Sequence, residues 1–258
     1  MSDKKLDEYL TGGSIEYNTP GDYTWICPKG VRYVYVIAWG GFGGGGGGGG
    51  GREYAPWGDY NTAGTGGGGG SAPDAIMAMI AVTPKTTYNI TVGAGGKGGA
   101  GGVGTTSYVS AGSAGSDGAD GGDTSFGELM ICRGGKGGTG GLGFISLSSS
   151  SEDNLGVERR GGLNGEYNTS RNVTLYKKCF VYASHAGGAG GEGITAVTTD
   201  TNTRKGTYGG QGGTNSVLSV SAGSGGKGGD AFYGNLTGYD KDGVKGGDGV
   251  DGYMKIIW

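Results

Sequence analysis

Residues 31–51 read VRYVYVIAWGGFGGGGGGGGG, and residues 52–60 continue as REYAPWGDY. A run of β-branched and aromatic residues stops at Trp39 and gives way to a tract, 40–51, in which Phe42 alone interrupts glycine. The fold turns on whether that tract is a floppy spacer or a piece of packed structure. Glycine supplies 69 of the 258 residues, several times its usual share of about 7%. Scarce aliphatic residues would suit a disordered chain, but a net charge of only −3 gives too little self-repulsion to hold it open. The 16 Tyr and 4 Trp supply burial of their own, so the composition predicts a folded chain.

Apolar residues gather in short runs. SIEYNTPGDYTWICP places a Pro-Gly turn between two extended halves, and VRYVYVIAW is a β-branched and aromatic run. DAIMAMIAV, TTYNITV, TSFGELMICR, NVTLYKKCFVY and the terminal GYMKIIW have the same style, and residues 87–92 alternate polar and apolar as a half-buried strand does. Only residues 3–10 and 153–160 suggest a turn or two of helix. The reading is all-β, an antiparallel sandwich of jelly-roll type, with Trp258 in its core.

Between the strands the glycines are periodic. Residues 95–104 read GGKGGAGGVG and 134–143 read GGKGGTGGLG; GGAGGEG at 187–193, GGQGG at 209–213 and GGKGG at 225–229 repeat the spacing. Elsewhere it thins to Gly-x-x, at Gly112, Gly115, Gly118 and Gly121 and at Gly243, Gly246, Gly249 and Gly252. Three residues per turn is the polyproline II helix, which has no internal hydrogen bonds. Collagen is excluded, because the chain has only 5 prolines and the period keeps breaking.

Ordering nine glycines costs on the order of 9–18 kcal/mol of backbone entropy. Hydrogen bonds at about 1 kcal/mol net each do not offset this alone. Order therefore requires several such helices side by side, bonding laterally where side chains are missing and clamped at their ends by a sheet framework. Each tract does begin or end at a strand-like run. A spacer would mix Gly with Ser and join two self-sufficient domains, and neither holds. The expectation is packed polyglycine helices of polyproline II type, framed by the sandwich.

The ordered set GDYTWICPKGVRYVYVIAWGGFGGGGGG, GGGGGSAPDAIMAMIAVTPKTTYNITVGAGGKGG, GGDTSFGELMICRGGKGG and GGDGVDGYMKIIW resembles the glycine-rich domain of bacteriophage tail and tail-fibre proteins over nearly the whole chain after Gly13. It is also similar to the glycine-rich domain of the anaplastic lymphoma receptor kinase. The resemblance implies a sandwich framing packed glycine helices, and a virion protein that is either a receptor-binding adhesin or a structural part of tail or capsid. The polar stretch Ser146–Phe180 has no clear place in that pattern.

Chemistry finds little footing. The single His185 has no Ser-x-Gly elbow and no spaced acid partner, so no enzyme is expected. Gly-x-Gly-x-x-Gly recurs only because glycine is everywhere, and Lys97, Lys136 and Lys227 lack the Ser or Thr that follows a P-loop lysine. Asp117 and Asp120 read as solvated termini rather than a glycosidase pair. GGDGVDGYM at 246–254 fits the calcium β-roll repeat, but once, where a roll needs stacked copies. Cys27, Cys132 and Cys179 are widely spaced and read as buried reduced thiols. No cofactor, metal or nucleic acid is expected for a chain with pI near 5.2. Neither a signal peptide nor a membrane span is read, so synthesis in the cytosol is expected; the resemblance implies that this is a host's cytoplasm and that the protein resides in the virion.

A surface argument remains. The connectors between tracts are rich in Tyr, Asn, Asp and Arg, a composition suited to recognition loops on a stiff scaffold. Tyr54, Trp57, Tyr60, Tyr233 and Tyr239 are the candidate contacts for a bacterial surface receptor or glycan; plain loops capping the bundle would use the same residues. Residues 1–12 read as an arm, with Leu6, Tyr9 and Leu10 for docking to another virion protein or another copy, or as a frayed tail. Residues 13–258 read as one glycine-rich domain with a polar insert at 144–182.

Overall fold

The computed structural model describes residues 12–51, 64–106, 112–143, 209–215 and 242–258, and the backbone of strands at 173–175, 179–185, 197–198, 203–205, 220–221 and 231–232. Among these residues every regular element is a strand. They are β1 (Ser14–Tyr17), β2 (Gly21–Ile26), β3 (Tyr33–Trp39), β4 (Ala75–Ala81), β5 (Thr87–Val92), β6 (Thr124–Phe126), β7 (Met130–Cys132), β8 (Val173–Leu175), β9 (Cys179–His185), β10 (Val197–Thr198), β11 (Thr203–Lys205), β12 (Thr214–Asn215), β13 (Val220–Ser221), β14 (Ala231–Phe232) and β15 (Tyr253–Ile257). One antiparallel sheet has the order β1-β15-β3-β4-β9 and a second β2-β5-β6-β7-β8. Short pairings β10-β11-β14 and β12-β13 lie outside them.

Alternation makes the core. In the first sheet Val34, Val36, Ala38, Ile76, Ala78, Ile80, Met254 and Ile256 are buried; in the second, Trp25, Ile90, Val92, Phe126, Met130 and Cys132 join them in one cluster. Each large side chain so buried stabilises by about 1.5–3 kcal/mol. Trp25 ties the sheets together, its ring centroid 5.9 Å from Phe126 and 5.6 Å from Trp258. Trp258 itself is only partly buried and packs on the margin of this core, a correction to the expectation that it sits inside. Its carbonyl accepts the amides of Gly12 and Gly13, tying the described start of the chain to β15.

Two of the strand-like runs divide between the two sheets. The halves of SIEYNTPGDYTWICP part company: β1 pairs with β15 and β2 with β5, in different sheets. NVTLYKKCFVY is likewise two strands, with β8 on the edge of one sheet beside β7 and β9 on the edge of the other beside β4. The polar stretch 146–180 thus completes both sheets, because an edge strand needs only one apolar face and is hard to recognise by hydrophobicity.

Both sheets hand their strands to the glycine tracts at one end. β3 runs into Gly40, β5 into Gly93 and β7 through Arg133 into Gly134, while β4, β6 and β15 receive the chain coming back. The pairing of Trp39 with Ala75 and Tyr253 fixes that end of the first sheet. The glycine segments therefore continue the strand directions beyond the core, clamped by strands already in register.

Candidate functional site

The bundle is built around residues 40–51, and its amides point to three neighbours in rotation. Gly41, Gly44, Gly47 and Gly50 donate to Gly122, Ala119, Ser116 and Ser113; Phe42, Gly45 and Gly48 donate to Val250, Gly247 and Val244; Gly43, Gly46 and Gly49 donate to Ser71, Gly68 and Thr65, all at 2.8–3.0 Å. Return to the same neighbour at every third residue is the screw of a polyproline II helix. Acceptor numbers fall as donor numbers rise, so these three neighbours run antiparallel. Two more run parallel and donate to the central carbonyls, Gly135, Gly138 and Gly141 from one and Gly96, Gly99 and Gly102 from the other. The whole of 40–51 is buried, and Phe42, fully enclosed, packs with Ala72 and Trp39.

Space, not backbone freedom, demands glycine here. Among the described glycines only Gly21, Gly30 and Gly127 have positive φ, and none belongs to the bundle. A Cβ at Gly43, Gly46 or Gly49 would fall on the carbonyl of Lys136, Thr139 or Leu142, and one at Gly44, Gly47 or Gly50 on that of Lys97, Ala100 or Val103. The density of glycine then reports the number of neighbours. The central segment is nearly all glycine and wholly enclosed. In the Gly-Gly-x segments 93–104 and 134–143 the x residues Lys97, Ala100, Val103, Lys136 and Leu142 face solvent. In the Gly-x-x segments 112–122 and 243–252 one residue in three turns inward and the other two face largely outward.

Where a row of amides lacks a neighbouring carbonyl, side chains take its place. Asp123, Asp120 and Asp117 accept from Gly134, Gly137 and Gly140 at 2.8–2.9 Å. Asp251, Asp248 and Asp242 accept from Gly95, Gly98 and Gly104 at 2.7–2.8 Å. Ser116 and Ser113 receive Ala100 and Val103, and Ser71 and Thr65 receive Lys136 and Leu142. Asp117 and Asp120 are thus amide acceptors of the bundle, correcting their reading as plain solvated residues. The signal was in the sequence as a period of three in the non-glycine positions, whose meaning depends on the antiparallel partner that supplies the amides. Both Asp residues of the calcium-like GGDGVDGYM motif are engaged in the same way.

Lysines gather on these rows. Asp120 pairs with Lys136 at 2.5 Å, and Asp248 meets both Lys245 at 2.8 Å and Lys97 at 3.2 Å. The hydrogen bond from Lys245, then the Gly98 amide and Lys97, hold the Asp248 carboxyl well below the usual carboxylate range. These exposed pairs add little stability individually. Their contribution is to fix carboxylates against amides.

The far end of the bundle is defined by ladder rungs that come together from distant parts of the chain. Gly49 donates to Thr65, Thr65 to Leu142, Thr105 to Gly51, Ser113 to Val103 and Gly243 to Gly102. At this level the described chain breaks off at 51, 106 and 143 and resumes at 64, 112 and 242. The candidate contacts Tyr54, Trp57, Tyr60, Tyr233 and Tyr239 lie outside the described residues, as do Leu6, Tyr9 and Leu10. His185 closes β9 opposite Ala75. Cys27 and Cys132 are buried free thiols. Among the described residues no three His, Cys, Asp or Glu side chains are grouped as metal ligands.

A family model described as a glycine-rich domain matches residues 18–255. No curated protein matches the chain significantly.

Proposed function

The chain belongs to the glycine-rich domain family over residues 18–255, and from that premise we propose that it is a bacteriophage virion protein, a tail-associated adhesin that presents recognition loops on a rigid polyglycine scaffold. One observation carries the reading: the rungs Gly49–Thr65, Thr65–Leu142, Thr105–Gly51, Ser113–Val103 and Gly243–Gly102 gather the ends of six glycine-rich segments at the end of the bundle away from the sheets. Residues 52–63, which follow Gly51 and precede Gly64, include Tyr54, Trp57 and Tyr60, and Tyr239 stands three residues before Asp242. A scaffold held by lateral hydrogen bonds places such loops with little loss of conformational entropy on binding. Aromatic side chains among Asn, Asp and Gly suit a bacterial surface glycan or protein receptor. The same reading has no catalytic step and no cofactor. Its partners are the other virion proteins at one end and the receptor at the other.

Binding of purified protein to a panel of bacterial cells tests it. The expected result is saturable binding to some strains, lost in Trp57→Ala and Tyr60→Ala variants whose melting temperature is unchanged. A folded protein that binds no strain, yet is incorporated into particles, would make it a structural virion component.

A further inference from the structure

The pole of the sheets opposite the glycine bundle carries an unusual surface on two clasped loops. Residues 27–32 join β2 to β3, and residues 82–86 join β4 to β5. Cys27 donates to Thr86 at 2.9 Å and accepts from Lys85 at 2.8 Å, while Val82 donates to Arg32 at 2.9 Å, so the two loops form one surface. Lys29, Arg32 and Lys85 are exposed there. Neither 25–33 nor 82–88 contains Asp or Glu, although the chain as a whole is acidic. Among the described residues none of the three cations has an ion-pair partner. The lysines of the bundle, in contrast, are paired with the rows of Asp. Flanking the cations are the exposed apolar residues Ile26, 65% accessible, and Tyr33, 55%.

Lys85 adds an independent observation. It occupies the third position of the turn Thr83–Thr86, closed by Thr86 donating to Thr83 at 3.2 Å, and its φ is 63°. Pro84 before it suits such a turn, and the following position, with positive φ, favours glycine. In a chain with 69 glycines this position holds the only described non-glycine residue with positive φ. Backbone strain kept at a surface site points to a use for the side chain.

We infer that this pole is an interaction face for a protein partner that presents carboxylates around an apolar contact, with Lys29, Arg32 and Lys85 engaging the acids and Ile26 and Tyr33 the apolar centre. Nucleic acid fits less well, because a phosphate backbone offers no apolar contact to Ile26 and Tyr33, and a lipid surface is broad where the cations and exposed apolar residues are confined to residues 26–33 and 85. The inference concerns the end opposite the proposed recognition loops and stands whether or not those loops bind a receptor.

The test uses the full chain, isotope-labelled, titrated with three probes: a synthetic peptide alternating Glu and Leu, vesicles containing anionic lipid, and duplex DNA. The peptide is expected to shift the backbone resonances of residues 26–33 and 83–87 and to bind at least tenfold more weakly at high salt. A Lys29→Glu, Arg32→Glu, Lys85→Glu variant should lose binding at least tenfold with its melting temperature unchanged. Lys85→Gly should bind severalfold more weakly while its melting temperature stays the same or rises, as strain is released. Shifts elsewhere, undiminished binding by the charge-reversed variant, or tighter binding to vesicles or DNA would overturn the assignment. A lowered melting temperature of Lys85→Gly would make the lysine structural and overturn it equally.

Discussion

The amide of Gly98 donates to Asp248 Oδ1 at 2.8 Å across 150 residues of chain, so an aspartate side chain stands where the interior of the lattice has a backbone carbonyl. Substituting Asp248 separates the roles of acceptor and charge. Asp248→Asn keeps an oxygen acceptor for Gly98 but loses the charge that meets Lys245 and Lys97, and should lower the melting temperature at neutral pH less than Asp248→Ala, which loses both and leaves the Gly98 amide to solvent. Amide exchange at Gly98 is expected to accelerate in Asp248→Ala and not in Asp248→Asn.

Acid should weaken the same contacts. The folded protein holds the Asp248 carboxyl below its ordinary value through Lys245, the Gly98 amide and Lys97, and holds Glu16 below its ordinary value chiefly through its bond with Lys255. Groups whose folded value is depressed contribute stability above their unfolded value, about 4, and lose it as pH falls toward the folded value. Melting temperature is therefore expected to fall with acidification below about pH 4. A combined Asp248→Asn, Glu16→Gln variant should show a flatter profile there, and a profile as steep as that of the parent would contradict this account.

Glycine positions in the bundle should be intolerant in a way that a spacer would not be. The Cβ of a side chain at Gly46 would meet the Thr139 carbonyl, and one at Gly137 the Gly118 carbonyl. Gly46→Val and Gly137→Val are each expected to destabilise by about 3 kcal/mol or more, since overpacking costs about 1–3 kcal/mol and displaced amides add to it. Ala100→Val, at an exposed position, should be nearly neutral. Equal thermal melting for all three variants would refute the packed lattice.

Burial, then the carboxylates of Asp74 and Asp123, push the Cys132 thiol up to about 12, and burial also raises that of Cys27. Neither thiol should react with a disulfide reagent at pH 8 until the protein unfolds. Because these folded values are raised, their contribution to stability is complete below the unfolded value near 8.5 and declines as pH rises above it. Thermal melts between pH 8 and 11 should show the decline, reduced in Cys132→Ala once the loss from the smaller side chain is subtracted.

β15 lies between β1 and β3 with Met254 and Ile256 fully buried. Ile256→Ala is expected to cost about 2–5 kcal/mol, and deletion of 255–258 should abolish folding, as judged by circular dichroism and solubility.

The sequence by itself determined the kind of elements and their faces. The β-branched and aromatic run YVYVIAW and the alternation in TYNITV marked strands, and the thinning of glycine from continuous to Gly-Gly-x to Gly-x-x reflects how many sides of each helix meet another backbone, because a missing Cβ is needed only where backbones touch. Only the tertiary structure decided who the neighbours are. The bonds of the central segment 40–51 join amides to carbonyls, groups that all these residues share, so no side chain names the partner there, and Gly45 meets Gly247 rather than some other tract because strands fix where each segment starts. The same reason hid the aspartates' role. Asp117, Asp120 and Asp123 look like solvated charges until an antiparallel neighbour brings Gly140, Gly137 and Gly134 into register with them. The parting of β1 from β2 was equally out of reach, since either half has a face that fits either sheet, and only the closure of a common core around Trp25 and Ile256 separates them.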